Sequence, residues 1–146
     1  MSDRRPPLQH TPVMTYEQML EKVRYEGAYP TREKAEEAVR LVLAGLGRQL
    51  TGDERVEVAA RLPFEAARIL TAQIPDTQTL SGWAFVKDLA ARTGATLGTT
   101  RWDTGSVLCV VAALAGSELL TDILRQLPSG SGYAVLFGHA ELTQAA

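Results

Sequence analysis

Three features of the chain predict an all-α protein. Apolar residues recur at spacings of three and four rather than at alternate positions. Ser or Thr stands ahead of most of these runs, and Gly or Pro follows them. The stretch Leu50–Pro63, with its Leu-Thr-Gly turn and Leu-Pro step, returns as Leu114–Pro128. This echo predicts two tandem pseudo-repeats of about four helices each, residues 14–75 and 79–138, packed into one globular body. Two copies that pair to complete one core fit 146 residues better than an open stack, which wants three or more repeats.

Residues 1–13 are polar and contain Pro6, Pro7 and Pro12, so a mobile tail is expected there. Thr15 with Gln18 makes a capping-box pattern ahead of a helix whose apolar face is Tyr16, Met19, Leu20, Val23 and Gly27. Gly27 and Pro30 are the expected stop. Thr31 is the next cap, and Glu33, Glu36 and Glu37 favour the positive end of the helix dipole. Ala35, Ala38, Val39, Val42, Leu43, Leu46 and Leu50 then form a long stripe, predicting a helix over 32–50. Thr51 and Glu54 form a second capping-box pattern for a short helix to about Arg61. Pro63 suits the start of a helix using Phe64, Ala67, Leu70 and Ile74. Pro75-Asp76-Thr77 marks the joint between the halves.

The second half follows the same plan. Ser81 is the expected cap, with Phe85, Val86, Leu89 and Ala90 as the face and Gly94 as the stop. Ala95 to Trp102 reads as a loop, with Thr99, Thr100 and Asp103 as alternative caps. Val107, Leu108, Val111 and Leu114 predict a very apolar central helix. Ser117 is expected to cap a short helix carrying Leu120, Ile123, Leu124 and Leu127. After Pro128, Ser129-Gly130-Ser131-Gly132 weakens the start of a last helix carried by Tyr133, Val135, Leu136 and Phe137.

The run Arg48-Gln49-Leu50-Thr51-Gly52-Asp53-Glu54, then Ala59-Ala60-Arg61-Leu62-Pro63, then Trp83-Ala84-Phe85-Val86 leading to Ala90-Ala91-Arg92-Thr93-Gly94, resembles a bacterial family of duplicated helical domains, domain of unknown function 2267. The resemblance covers about Met14 to Phe137. It implies an all-helical fold and carries over no catalytic or binding residue. The chain departs from it in the almost uncharged central helix of the second half.

The net charge of −2 gives no field that favours nucleic acid or an anionic membrane. One cysteine, Cys109, excludes an internal disulfide and fits a reducing cytosol. No apolar run follows Arg4-Arg5, so no targeting segment is expected. The longest apolar run, Val107–Ala115, is too short to span a bilayer, which needs about 20 residues. A soluble, cytoplasmic protein is expected.

Few chemistry-bearing patterns are present. His10, His139 and Cys109 do not form a ligand set, so neither a metal site nor a cofactor is expected. Cys109 lies between Leu108 and Val110 and reads as a buried small hydrophobe. Gly94-Ala95-Thr96-Leu97-Gly98 is not a phosphate cradle. Glu33, Glu36 and Glu37 read as a solvated face with Glu36–Arg40 as an i,i+4 pair. No catalytic constellation is visible.

The halves differ in charge. Residues 14–75 hold 19 charged side chains and residues 76–146 hold 10. Trp83 aligns with Glu17, and Trp102 falls near Glu36 or Glu37, so both tryptophans stand where the first copy has exposed acids. A tryptophan on the flank of a helix can cover the other half or anchor a partner. Trp83 and Trp102 are therefore the candidate interaction patch of a non-catalytic interaction or scaffold module. Its partner would be a second copy or another protein. The alternative is a carrier of a small apolar ligand between the repeats, suggested by Gly45, Gly47 and the run Val107–Ala115.

Overall fold

The computed structural model describes residues 14–128 and 132–139. The expected tail over 1–13, and Ser129, Gly130 and Ser131 of the weak helix start, lie outside these residues. Eight helices occur among the described residues and form one globular body: α1 (Tyr16–Gly27), α2 (Arg32–Gln49), α3 (Gly52–Arg61), α4 (Phe64–Thr71), α5 (Gly82–Thr93), α6 (Leu97–Ala115), α7 (Ser117–Gln126) and α8 (Tyr133–Leu136).

The long helices α2 and α6 are central. They pack on each other, and α1 lies against both. On α2 sit α4 and α5; on α6 sit α5, α7 and α8. The short helices α3 and α7 meet each other at the C-terminal end of the central pair. The core runs continuously from Met19 and Val23 through Val39, Leu43 and Leu46 to Phe85, Val107, Leu108, Leu120 and Phe137. Each fully buried Leu or Val contributes about 1.5–3 kcal/mol relative to exposure, so this shared core dominates the fold's stability.

Three of the expected caps form. The Thr15 hydroxyl accepts from the Gln18 amide at 3.1 Å, and the Gln18 side chain accepts from the Thr15 amide at 2.9 Å. Thr31 caps α2 and Ser81 caps α5, each at 3.1 Å. Gly94, at φ +77°, ends α5 in the left-handed conformation that favours glycine.

Several local expectations are corrected. The residues from Leu97 onward are helix, not loop: the Thr96 hydroxyl accepts from the Thr99 amide at 3.1 Å, so α6 starts two turns before Asp103. Thr51 does not form its capping box, because Gln126 takes its amide at 2.7 Å and donates to Glu54 at 2.8 Å. Ser117 does not cap α7, which starts from Gly116. Helix α4 buries Ala66 and Leu70, while Phe64 and Ile74 are exposed. Its face continues from Leu62 at intervals of four, not from Phe64.

Helix α1 runs through Gly27 and stops at Ala28, which takes φ 53°. Glycine at 27 serves a different purpose: a Cβ there would lie 2.2 Å from the Tyr29 ring. Gly45 and Gly47 are likewise points of close approach. A Cβ on Gly47 would lie 2.2 Å from the Leu70 carbonyl oxygen, and one on Gly45 would press on Leu89 and Phe85.

Polar side chains close the helix ends. The Arg55 guanidinium donates to the carbonyls of Gly47 and Leu50 (3.1 Å) at the end of α2, and to those of Leu70 (3.2 Å), Thr71 (3.4 Å) and Gln73 (2.6 Å) after α4. At the end of α6, Arg61 donates to the Ala115 carbonyl. Gln49, 2% exposed, accepts from the Leu80 amide at 2.7 Å, and the Leu80 carbonyl accepts from the Tyr133 hydroxyl at 2.9 Å. These two bonds tie α2, the 72–81 connection and α8 together.

Replacing Arg55 tests the helix-end account. Arg55→Met keeps the stem and removes every donor, and is expected to lower stability by about 2–3 kcal/mol, because several half-buried carbonyls lose charge-assisted partners. Urea unfolding followed by circular dichroism measures this. A loss below about 0.5 kcal/mol, the range of an ordinary surface change, would refute the assignment.

Candidate functional site

The two candidate tryptophans sit in different settings. Trp102 lies on the second turn of α6, against the end of α1. Its indole N–H donates to the Gly27 carbonyl at 2.9 Å, one of the last carbonyls of α1. The ring remains 56% exposed and borders a shallow depression of about 190 Å³ with Glu26, Arg101, Gly105 and Ser106. Trp102 therefore fastens the halves together and also shows a face to solvent. Trp83 occupies the first turn of α5 and is also 56% exposed. Phe85, two residues on, is buried and meets Tyr133 edge-to-face with ring centres 5.7 Å apart. None of the described cavities is lined by both tryptophans.

A second feature escaped the sequence reading. Between the N-terminal halves of α2 and α6 lies a cleft of about 340 Å³. Lys34, Glu37, Ala38 and Leu41 of α2 form one wall, and Thr99 and Asp103 of α6 with Thr93 and Ala95 form the other. Tyr29 joins the walls, its hydroxyl donating to Asp103 Oδ1 at 2.6 Å. Burial and the adjacent Asp103 carboxylate push the Tyr29 phenol well above its ordinary range. The signal was hidden because Tyr29 and Asp103 stand 74 positions apart and neither belongs to a motif.

A more open groove of about 620 Å³ follows α1 past Met14, Glu17, Gln18, Glu21, Lys22, Tyr25 and Arg32. Its Glu21 carboxylate is already engaged by Arg32 at 3.0 Å and Arg24 at 3.4 Å. The Arg32 hydrogen bond holds Glu21 below the usual carboxylate range. Glu36, read as part of a solvated acidic face, pairs with Arg40 at 3.1 Å and accepts from the Tyr16 hydroxyl at 2.9 Å.

Cys109 is half-buried rather than buried, which corrects the sequence reading. Its sulfur lies 3.8 Å from Glu26 Oε1 on α1. Position 109 falls on the margin of the buried face of α6, where its neighbours Leu108 and Val110 point inward. Burial, then the Glu26 charge, raises the thiol above its ordinary pKa. The setting disfavours the thiolate and hence nucleophilic chemistry. Among the described residues no group of three or more His, Cys, Asp or Glu could hold a metal ion. No described helix is long and apolar enough to cross a membrane.

Fold and surface thus define an all-helical domain with exposed indoles and a cleft that carries Asp103 and Glu37. The chain belongs to the family described as Uncharacterized conserved protein (DUF2267), whose model matches residues 16–133. That span takes in seven of the helices from their first residue to their last, and reaches the first residue of α8. No curated protein matches the chain.

The Cys109 setting yields a measurable rate. Alkylation by iodoacetamide at pH 8 should run slower than that of free cysteine, and Glu26→Gln should speed it a few-fold by removing the adjacent negative charge. A wild-type rate at or above that of free cysteine would contradict the assignment.

Proposed function

We propose that this domain is a non-catalytic protein-interaction or scaffold module whose contact surface uses Trp83 and Trp102. The observation that carries this reading is the contrast among the aromatics of residues 76–146. Phe85, Tyr133 and Phe137 are at most 1% exposed, whereas each tryptophan leaves 56% of its surface in water. Covering an indole gains apolar burial at about 25 cal/mol per Å², and tryptophan is enriched among residues that dominate interfaces. The bond from Trp102 to Gly27 holds its ring in place, so less side-chain freedom remains to be lost on association. The sparse charge of residues 76–146 lowers the desolvation cost of covering surface that these residues contribute.

The same reading takes the chain as a duplicated unit. Helix lengths of 12, 18, 10 and 8 residues are followed by 12, 19, 10 and 4, which supports it. So does the position of Arg61 and Gln126, each ending a ten-residue helix and each bonded to the turn that starts the other. Duplication explains how one copy could keep a charged face while the other acquired tryptophans.

Light scattering over a concentration series, with affinity capture from cell extract, tests the proposal. Wild type should self-associate or retain a specific protein. Trp83→Ala should weaken that contact about tenfold or more with unchanged helical content, the loss typical of an interface anchor. A strict monomer retaining the same proteins as a Trp83→Ala/Trp102→Ala variant would contradict it.

A further inference from the structure

We infer that the cleft between α2 and α6 binds a small organic ammonium ion carrying a short apolar body. This site is separate from the tryptophan surface and does not rest on it.

Asp103 carries the inference. Its half-buried carboxylate lines the cleft, with Oδ1 held by the Tyr29 hydroxyl at 2.6 Å. A carboxylate accepts about four hydrogen bonds, so one neutral donor leaves most of its capacity unused. Among the described residues no ion pair includes Asp103. Of the other half-buried carboxylates, Glu21, Glu36, Asp88 and Asp122 each have an arginine partner within 3.4 Å, and Glu54 accepts from the Gln126 side-chain amide at 2.8 Å. A partly buried negative charge without a counter-charge attracts a cation more strongly than an exposed one does.

The other walls set the ligand's character. Glu37 lines the same space, and Lys34 stands 3.8 Å from it, longer than a charge-assisted hydrogen bond. Both side chains are exposed, 60% for Lys34 and 72% for Glu37, so this pair exchanges readily with solvent. Ala38, Leu41 and Ala95 supply apolar contact beside Tyr29. Two carboxylates against one lysine disfavour an anion. A wholly apolar ligand would strip water from Asp103 and the threonines without replacing it. The volume of about 340 Å³ is at the small end of ligand sites and suits a few carbons behind a single ammonium group.

Isothermal titration calorimetry on the full chain tests the site with n-butylammonium chloride, sodium butyrate and n-butanol as probes matched in length. Butylammonium should bind saturably with one-to-one stoichiometry, and the other two should not. Asp103→Asn should weaken binding about tenfold, the loss expected for one charge-assisted contact. Lys34→Ala should tighten it by freeing Glu37, whereas Lys87→Ala, the same charge change at an exposed site on α5, should leave it unchanged. Should Asp103→Asn fail to fold, Glu37→Gln at the exposed wall gives the same readout, with a few-fold loss expected. No saturable butylammonium binding up to about 10 mM, equal binding of butyrate, or affinities unaltered by the cleft variants would overturn the inference.

Discussion

Helix α2 ends inside the protein. Leu46 and Leu50 are fully buried, so the last carbonyls of this helix need donors from the protein itself. Arg55 supplies them from the next helix, and spends the rest of its guanidinium on the end of α4. Helix α6 ends in a similar place, with Leu114 and Ala115 buried, and Arg61 reaches across from α3 to its last carbonyl. From α7, Gln126 reaches back to Thr51, closing the turn between α2 and α3. The end of each long helix is thus finished by a short helix, and for α6 that helix comes from the other half. This arrangement pins α3 against α7 and fixes how deeply α2 and α6 can pack. Buried carbonyls left without donors would cost more than any single surface contact contributes.

The opposite end of the α2–α6 pair is built differently. There the halves meet through Tyr29 with Asp103 and Trp102 with Gly27, at distances of 2.6 and 2.9 Å. These contacts are fewer than those around Arg55, and the cleft lies open beside them between the helix N-terminal halves. The three tyrosines that anchor elements, Tyr16, Tyr29 and Tyr133, all have phenols raised above their ordinary range, chiefly by burial. The folded state keeps these protons where the unfolded chain would lose them. Their contribution is therefore complete below about pH 10 and declines as the pH rises above it.

Much of this fold was legible in the sequence because its signals are local. Thr15, Thr31 and Ser81 each cap the amide three residues further along the chain, and the stripe from Ala35 to Leu50 needs only helical spacing to be read. What was not legible depends on partners distant in sequence. The Thr51–Glu54 pattern is a sound capping box, yet Gln126, 75 positions away from Thr51, displaces it. The start of α6 was misread because Gly98 and three threonines look like a loop, whereas the Thr96 and Thr100 hydroxyls both bond within the helix's own first turns. Cys109 looked buried from its apolar neighbours, but helical rotation places it at the margin beside Glu26. The tryptophans were visible as candidates by alignment with exposed acids; the cleft was not, since its walls come from α2 and from the start of α6 with the turn before it.

The central claim is that the two four-helix segments share one core and one set of helix-end contacts, and so cannot unfold separately. Both tryptophans lie in α5 and α6, so indole fluorescence reports on the second segment while helical circular dichroism reports on the whole chain. Urea unfolding followed by both signals on the same sample tests this directly. The account predicts a single transition with coincident midpoints. Two transitions by circular dichroism, with fluorescence following only one of them, would contradict it.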